Sequence, residues 1–198
     1  MDSFAVGLDF GTNSVRALVV DTATGKELGS GVRTYRHGEE GVLLDASDPN
    51  LARQHPADYL EGMTAAVCEA LVEAEQHAAS FARDRVCGLG VDTTGSTPIP
   101  VDARGVPLAM DDRFAGDLNA MAWLWKDHTA HEEAARITEA AREQCPERMA
   151  RCGGTYSSEW FWSKLWHATR TAPEVFEAAA SWVEMADWIP AVLTATDG

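Results

Sequence analysis

The residues best able to do chemistry near the N-terminus form the segment Asp9-Phe10-Gly11-Thr12-Asn13-Ser14-Val15-Arg16. One apolar run ends near Asp9, and a second apolar run, Val15–Val20, follows the corner. Each run predicts a buried strand. Gly11 is expected to allow a positive φ and to leave the backbone without a Cβ. Successive amide N–H groups, with the hydroxyls of Thr12 and Ser14, would then form a concave anion site. We predict that it holds phosphate, with Asp9 holding a hydrated Mg²⁺ beside it.

The same corner has a simpler interpretation. A strand–glycine–strand connection is often only a hairpin. Neither the Walker P-loop pattern nor the glycine fingerprint of dinucleotide-binding folds is present. Both interpretations stay open on the residues of this corner alone.

A second polar corner, Asp92-Thr93-Thr94-Gly95-Ser96-Thr97-Pro98, follows the apolar run Val86–Val91. Its hydroxyls, carboxylate and glycine cluster where a buried strand ends, and open α/β sheets place ligands at such ends. Hydroxyl-rich loops suit a polyol, because each sugar hydroxyl both donates and accepts a hydrogen bond. The alternative is a Thr/Ser-rich turn that satisfies its own backbone.

A third segment of interest is Trp123-Leu124-Trp125-Lys126-Asp127-His128. Trp125 offers a flat apolar wall for the C–H face of a sugar, and the residues after it supply polar groups. The alternative is a tryptophan in the core followed by a solvated helix start. His128 and His131 are one helical turn apart, but no HExxH order or nearby cysteine accompanies them, so a metal site is not predicted here.

A fourth segment, Tyr156–Trp166, is rich in aromatic residues. Trp162 and Trp166 share a helix face, a pattern more typical of a core or a domain contact than of a ligand site. Glu159 and Lys164 are expected to reach a ligand from its exposed edge. Hydrolytic chemistry is not predicted, because Ser96 has no histidine near it in sequence and lies in no GxSxG motif.

The elements that must position these residues alternate between strands and helices. Three successive strands ending at Tyr35 predict an antiparallel meander. Residues 37–54 are turn-rich and are expected to form a long surface loop. Pro56 favours the start of a helix that runs to about Ala79. Further strands are expected over Val86–Val91, Ile99–Val101 and Met121–Trp125. Further helices are expected over Ala130–Arg142, Ser157–Arg170, Pro173–Ala180 and Asp187–Leu193. Thr129 and Glu132 are expected to cap the helix that begins at about Ala130.

Composition narrows the class of protein. With 198 residues and 45% hydrophobic content, the chain can bury a core of useful size. Its formal net charge of −15 argues against nucleic acid and acidic membranes as partners. No apolar run has the length of a membrane span, and no signal pattern is present at the N-terminus. The four cysteines include no CxxC pair, so reduced thiols and a cytoplasmic location are expected.

Together, four segments resemble the FGGY carbohydrate kinases, and among them the members that phosphorylate L-ribulose. The first segment alone marks only the wider group of actin-like ATPases. The second and third distinguish these members from relatives that phosphorylate xylulose or glycerol. The segments are Gly7–Ala17, Gly90–Pro98, Leu124–Thr129 and Gly153–Trp162.

The resemblance implies an α/β fold, namely an RNase H-like (actin-like ATPase) domain with a mixed sheet flanked by helices. Residues 1–198 would be the N-terminal FGGY domain, incomplete, with a second, adenosine-binding domain outside this chain. The implied reaction is Mg²⁺-dependent transfer of phosphate from ATP to L-ribulose, giving L-ribulose 5-phosphate in arabinose catabolism. The catalytic base is expected beyond Gly198, so the chain alone is expected to be inactive. A homo-oligomer is expected.

The resemblance also assigns roles by matching position. Asp9 would hold the Mg²⁺ through water. The residues that would cradle phosphate are Gly11, Thr12, Asn13, Ser14 and Arg16. The residues that would line the sugar pocket are Thr94, Gly95, Ser96, Trp125, Lys126, Asp127 and Glu159.

Two other functions fit the same residues. One is an FGGY kinase for another ketopentose or a pentitol. The other is a non-catalytic fragment that binds sugar or serves regulation. An actin- or chaperone-like assembly ATPase shares only the first segment and is disfavoured by the second and third.

Overall fold

The computed structural model describes residues 3–196. The strands of this part of the chain are β1 Phe4–Phe10, β2 Ser14–Asp21, β3 Glu27–Thr34, β4 Leu43–Asp45, β5 Asp48–Gln54, β6 Val86–Thr93, β7 Pro98–Val101, β8 Ala122–Trp123 and β9 Ser181–Glu184. The α-helices are α1 Pro56–His77, α2 His131–Gln144, α3 Pro146–Arg151, α4 Phe161–Thr171, α5 Pro173–Ala178 and α6 Met185–Thr194. No helix within residues 3–196 has both the length and the apolar character needed to span a membrane.

The chain divides into two compact units. The first comprises the described residues up to Val42 together with His55–Thr94. It contains a four-stranded sheet in the order β3-β2-β1-β6, in which β1 pairs antiparallel with β2 and parallel with β6. The predicted meander and the strand after α1 are confirmed, and the sheet is mixed as expected.

Helix α1 lies unusually close to β3. It begins at Pro56, with the side chain of His55 accepting a hydrogen bond from Ala57 N at 3.2 Å. The residues that it buries are mostly small and recur every four positions, namely Gly62, Ala66, Ala70 and Ala74. A Cβ added to Gly31 would lie 2.2 Å from Ala66 O, and one added to Gly29 would lie 2.3 Å from Ala70 O. Glycine at these two positions therefore allows the helix backbone to contact the strand.

Gly31→Ala is expected to lower the free energy of unfolding by about 2–3 kcal/mol, because the added methyl group meets a helix backbone carbonyl that has little freedom to move. Denaturant unfolding measures the change. Gly7→Ala is the matched control, since a Cβ at Gly7, in the same sheet, meets no atom within 4 Å. Equal effects of the two substitutions would contradict the close approach of α1 to β3.

The second unit comprises Leu43–Gln54 and the described residues from Gly95 onward. It contains a three-stranded sheet in the order β4-β5-β8 and a two-stranded antiparallel sheet of β7 and β9. One hydrophobic cluster of this unit includes Leu108, Phe114, Met121 and Val175. The helices α2 to α6 all belong to this unit.

The prediction of a long surface loop over residues 37–54 was wrong. This segment contains β4 and β5, joined by a turn in which Ser47 N donates to Asp45 Oδ1 at 2.8 Å. The last three residues of β5 are buried although two of them, Arg53 and Gln54, are polar. The polar composition of this segment indicated a loop. The partners that allow this burial are distant in sequence, so the local pattern could not show them.

Several other boundaries differ from the expected ones. The strand expected over Met121–Trp125 is limited to β8, and β9 was not predicted. Helix α2 begins at His131 and has Ala130 at its N-cap position, so it has no side-chain cap, and the predicted cap by Thr129 was wrong. The hydroxyl of Thr129 donates to Asp127 Oδ1 at 2.5 Å. Helix α4 begins at Phe161 rather than after Ser157, and α5 ends at Ala178.

Candidate functional site

The N-terminal corner is a tight hairpin between β1 and β2. Asp9 and Arg16 are directly paired across the two strands. Their side chains form an ion pair with 3.3 Å between Arg16 Nη1 and Asp9 Oδ2, and they are 60% (Arg16) and 46% (Asp9) exposed. The corner therefore presents one carboxylate and one guanidinium group to solvent within the first unit.

Gly11 does not adopt the positive φ that the sequence led us to expect. Its N–H donates to Ser14 O at 2.9 Å, which closes the hairpin. A Cβ at Gly11 would lie 3.4 Å from Ser14 O, an ordinary contact, so the protein itself does not require glycine here. A glycine at this position would matter only for a ligand that approaches the backbone of Gly11 closely.

Asn13 ties the hairpin to a neighbouring segment. Its side-chain Nδ2 donates to Glu40 O at 2.7 Å, and its main-chain carbonyl oxygen accepts from Tyr35 N at 3.0 Å. The predicted donor pocket is thus partly engaged within the protein, at Gly11 N and Asn13 Nδ2. The hydroxyl-bearing residues Thr12 and Ser14 flank Asn13 in the corner.

A second carboxylate lies beside Asp9. In the parallel register of β1 and β6, Asp9 is directly opposite Asp92. Adjacent residues in register on parallel strands direct their side chains to the same face, about 4.8 Å apart. Two exposed carboxylates so placed suit a hydrated Mg²⁺, a hard cation that keeps several waters. The described residues contain no cluster of three or more His, Cys, Asp or Glu side chains able to hold a metal by themselves.

The hydroxyl-rich corner is held by a carboxylate from β9. Ser96 Oγ donates to Glu184 Oε1 at 2.5 Å, and Thr97 N donates to Glu184 Oε2 at 2.7 Å. An ionised carboxylate only accepts, so the Ser96 hydroxyl proton points toward Glu184 and its lone pairs are left for another donor. Glu184 therefore sets which way the Ser96 hydroxyl can bind a ligand.

The neighbouring residues of this corner fall in two units. Thr94 belongs to the first unit, where its N–H donates to Phe10 O at 3.2 Å. Gly95 and Ser96 belong to the second unit, and a Cβ added to Gly95 would meet no atom within 4 Å. The proposed sugar residues other than Thr94 thus all belong to the second unit.

The tryptophan segment combines a core residue with exposed ones. Trp123 is completely buried, as the simpler interpretation of this segment expected, whereas Trp125 is 37% exposed and Lys126 is half-buried. The guanidinium of Arg53 lies over the Trp123 ring, 3.6 Å from its centroid. Trp125 and Lys126 are thus at least partly accessible, whereas Trp123 is not.

Asp127 is buried and fully engaged. Its Oδ2 accepts from Ala52 N at 2.8 Å and forms an ion pair with Arg53, and its Oδ1 accepts from the N–H and hydroxyl of Thr129. Both members of the ion pair are inaccessible to solvent, at 1% (Arg53) and 0% (Asp127). The carboxylate therefore joins β5 to the segment after β8.

Glu159 belongs to a small polar group on the surface. His128 Nδ1 lies 3.0 Å from Ser158 Oγ, and His128 Nε2 lies 3.7 Å from Glu159 Oε1. All of these residues are at least partly exposed. Glu159 is therefore accessible, and it lies next to His128, the residue that follows Asp127 in the chain.

Lys164 does not lie at an exposed edge of its helix, so that prediction was wrong. Its side chain is completely buried, and its Nζ donates to main-chain carbonyl groups. Sequence reasoning missed Glu184 and Arg53, and it assigned Lys164 to the wrong environment. For Lys164 a signal was present, since it lies among the aromatic residues Trp160, Phe161, Trp162 and Trp166.

Known proteins resemble this chain over almost all of its residues. Residues 4–197 match the model of the FGGY family of carbohydrate kinases, N-terminal domain. The chain is 45% identical over 192 residues to the ribulokinase of Vibrio parahaemolyticus, covering 96% of this chain and 33% of that protein. It is 39% identical over 196 residues to the ribulokinase of Mycolicibacterium smegmatis, covering 96% of this chain and 34% of that protein. The chain thus spans about a third of the length of the relatives it matches.

Solved structures show the same fold. The xylulose kinase from Rhodospirillum rubrum superposes with a TM-score of 0.68 at 21% identity, covering 94% of this chain and 33% of that one. The Plasmodium falciparum glycerol kinase with ADP superposes with a TM-score of 0.64 at 15% identity, covering 98% and 35%. These neighbours confirm the expected actin-like ATPase fold.

Proposed function

Because the chain belongs to the FGGY family of carbohydrate kinases, we propose that it supplies the N-terminal, phosphate- and sugar-binding part of an enzyme that phosphorylates L-ribulose with ATP. The product is L-ribulose 5-phosphate. The observation that carries the proposal is the 45% identity to a ribulokinase over 96% of the chain. The second and third polar segments, which mark the resemblance to kinases of L-ribulose, support it.

We assign the phosphate groups of ATP to the corner of the first unit. Arg16 offers an exposed positive charge, and the hydroxyl-bearing residues Thr12 and Ser14 flank Asn13. Gly11, which has no Cβ, lets a phosphate approach the backbone closely. These groups meet the negative charge that is spread over the transferring phosphoryl group.

Mg²⁺ fits beside this corner, where Asp9 and Asp92 would hold it through water. When bound, the metal supplies positive charge to the phosphate oxygens and orients them. Asp9 has a further part in this proposal, since its ion pair with Arg16 holds the guanidinium near the position assigned to phosphate.

We assign the sugar to the hydroxyl-rich corner and to the tryptophan segment. Trp125 provides an apolar surface for a C–H face, and Lys126 and Glu159 provide polar groups. Ser96 accepts a hydrogen bond from a sugar hydroxyl, because its own proton is donated to Glu184. Asp127 contributes by fixing the segment that carries Trp125 and Lys126.

The proton of the attacking hydroxyl must be accepted by a general base. Within this proposal the base and the adenosine-binding residues belong to a second domain outside residues 1–198. The proposal also places the protein in the cytoplasm, where its sugar and ATP are available.

The test is ADP release by the protein expressed from the complete reading frame that contains these residues. L-ribulose, D-ribulose, D-xylulose and a pentitol are each supplied with ATP and Mg²⁺. The highest kcat/KM is expected for L-ribulose. A clear preference for another sugar would transfer the proposal to that substrate, and no sugar-dependent ADP release would contradict the kinase function itself.

A further inference from the structure

Lys164 occupies a position that packing alone does not explain. It lies near the start of α4, and its side chain is 0% exposed. Burying an ammonium group is costly, and an apolar side chain of similar length would fill the same space without that cost. The bonds that the ammonium makes must therefore account for its presence.

Those bonds join the two segments assigned to the sugar. Nζ donates to Ser96 O at 2.8 Å, to Leu124 O at 2.8 Å and to Trp123 O at 3.2 Å. An ammonium group has three N–H donors and no acceptor, so three carbonyl oxygens satisfy it completely. One bond holds the hydroxyl-rich corner, and two hold the main chain directly before Trp125.

We propose that Lys164 is a positioning residue for the sugar, which fixes the Ser96 corner and the Trp125–Lys126 segment at the separation needed to contact one ketopentose. The inference rests on the proposed function. It adds a residue that contacts no substrate and acts through main-chain carbonyl groups. Glu184 complements it, since Glu184 fixes the Ser96 side chain while Lys164 fixes the Ser96 carbonyl.

The protonation state of Lys164 gives this role a signature. Burial, helped by the positive charge of Arg53, lowers the pKa of Lys164 to about 7, while Glu184 and Glu159 oppose the shift. A neutral amine has only two N–H donors, so loss of the proton leaves one of the three carbonyl groups without its partner. The two segments are then held less firmly as the pH rises through this range.

The experiment is steady-state kinetics of the protein from the complete reading frame, with L-ribulose and ATP varied separately. Lys164→Met is expected to raise the KM for L-ribulose about tenfold, because misplacing substrate-binding groups is costly, while the KM for ATP changes less than about twofold. Lys164→Gln, which keeps two N–H donors, is expected to lie between. Lys26→Met is the matched control, since Lys26 is exposed in the turn between β2 and β3.

The pH profile separates positioning from general stability. In the unsubstituted protein, the KM for L-ribulose is expected to rise between about pH 6 and about pH 8, and the KM for ATP is not. Lys26→Met keeps this slope, and both Lys164 variants lose it. If Lys164→Met fails to fold, the slope in the unsubstituted protein and its loss in Lys164→Gln carry the test.

Each outcome decides one question. A wild-type slope that persists in the Lys164 variants, a wild type without any slope, or equal changes in both KM values would overturn the positioning role. If the unsubstituted protein phosphorylates no ketopentose, the proposed function fails, and the inference that rests on it fails too. An active protein with unaffected Lys164 variants overturns the inference alone.

Discussion

Replacing Asp127 with alanine is expected to lower the free energy of unfolding by about 3–5 kcal/mol, because it leaves the buried guanidinium of Arg53 without its carboxylate. The substitution also removes the acceptor for Ala52 N and for Thr129. Denaturant unfolding of the chain, followed by tryptophan fluorescence, measures the loss. Trp123, which lies under Arg53, makes this signal sensitive to the second unit.

Asp112→Ala is the matched control for this prediction. Asp112 is an exposed aspartate of the same unit, and substitutions at such surface positions change stability by about 0.5 kcal/mol or less. If Asp127→Ala were as stable as Asp112→Ala, the buried ion pair with Arg53 would not hold this segment, and the prediction would be wrong. A large loss of stability supports its role in holding the segment that carries Trp125.

Replacing Asp9 with asparagine is expected to lower kcat at least about a hundredfold in the protein from the complete reading frame. Under the proposed function its carboxylate holds the hydrated Mg²⁺ and the Arg16 guanidinium beside the transferring phosphate, and removing one such electrostatic group typically has an effect of this size. Stability is expected to change little, since an exposed ion pair contributes about 0–1 kcal/mol. The kinetic and unfolding measurements are made on the same preparation.

Asp84→Asn serves as the control for Asp9→Asn. Asp84 is exposed in the first unit and lies outside the corner. Its substitution is expected to leave kcat unchanged within about twofold. A normal kcat for Asp9→Asn would show that Asp9 does not serve the phosphate site, even though the protein is an active kinase.

Local patterns predicted the first unit well. The apolar runs around Asp9, the turn signal at Gly25 and the proline at position 56 indicated β1, β2, β3 and α1 close to their observed bounds. These features depend on residues that are near one another in sequence. The close approach of α1 to β3 was not predicted, because it depends on glycines of one element meeting alanines of another.

Long-range polar contacts explain most of what the sequence did not reveal in the second unit. Arg53 and Asp127 are 74 residues apart, and Lys164 and Ser96 are 68 apart. Hydrophobic periodicity predicts that charged side chains such as Arg53, Asp127 and Lys164 are exposed, since charged residues are seldom buried without partners. Motifs therefore indicated the candidate site residues, which stay a prediction, whereas the buried residues that contact them required the structure.

The most direct test of the central claim is identification of the product by NMR. The protein from the complete reading frame is incubated with ATP, Mg²⁺ and L-ribulose, and the ³¹P spectrum is recorded with proton coupling. We predict a new phosphomonoester resonance coupled to the methylene protons of C5, which is absent when the sugar or the protein is omitted. ATP consumed to give only ADP and inorganic phosphate, or ATP left unchanged, would contradict the assignment of this chain to a ketopentose kinase.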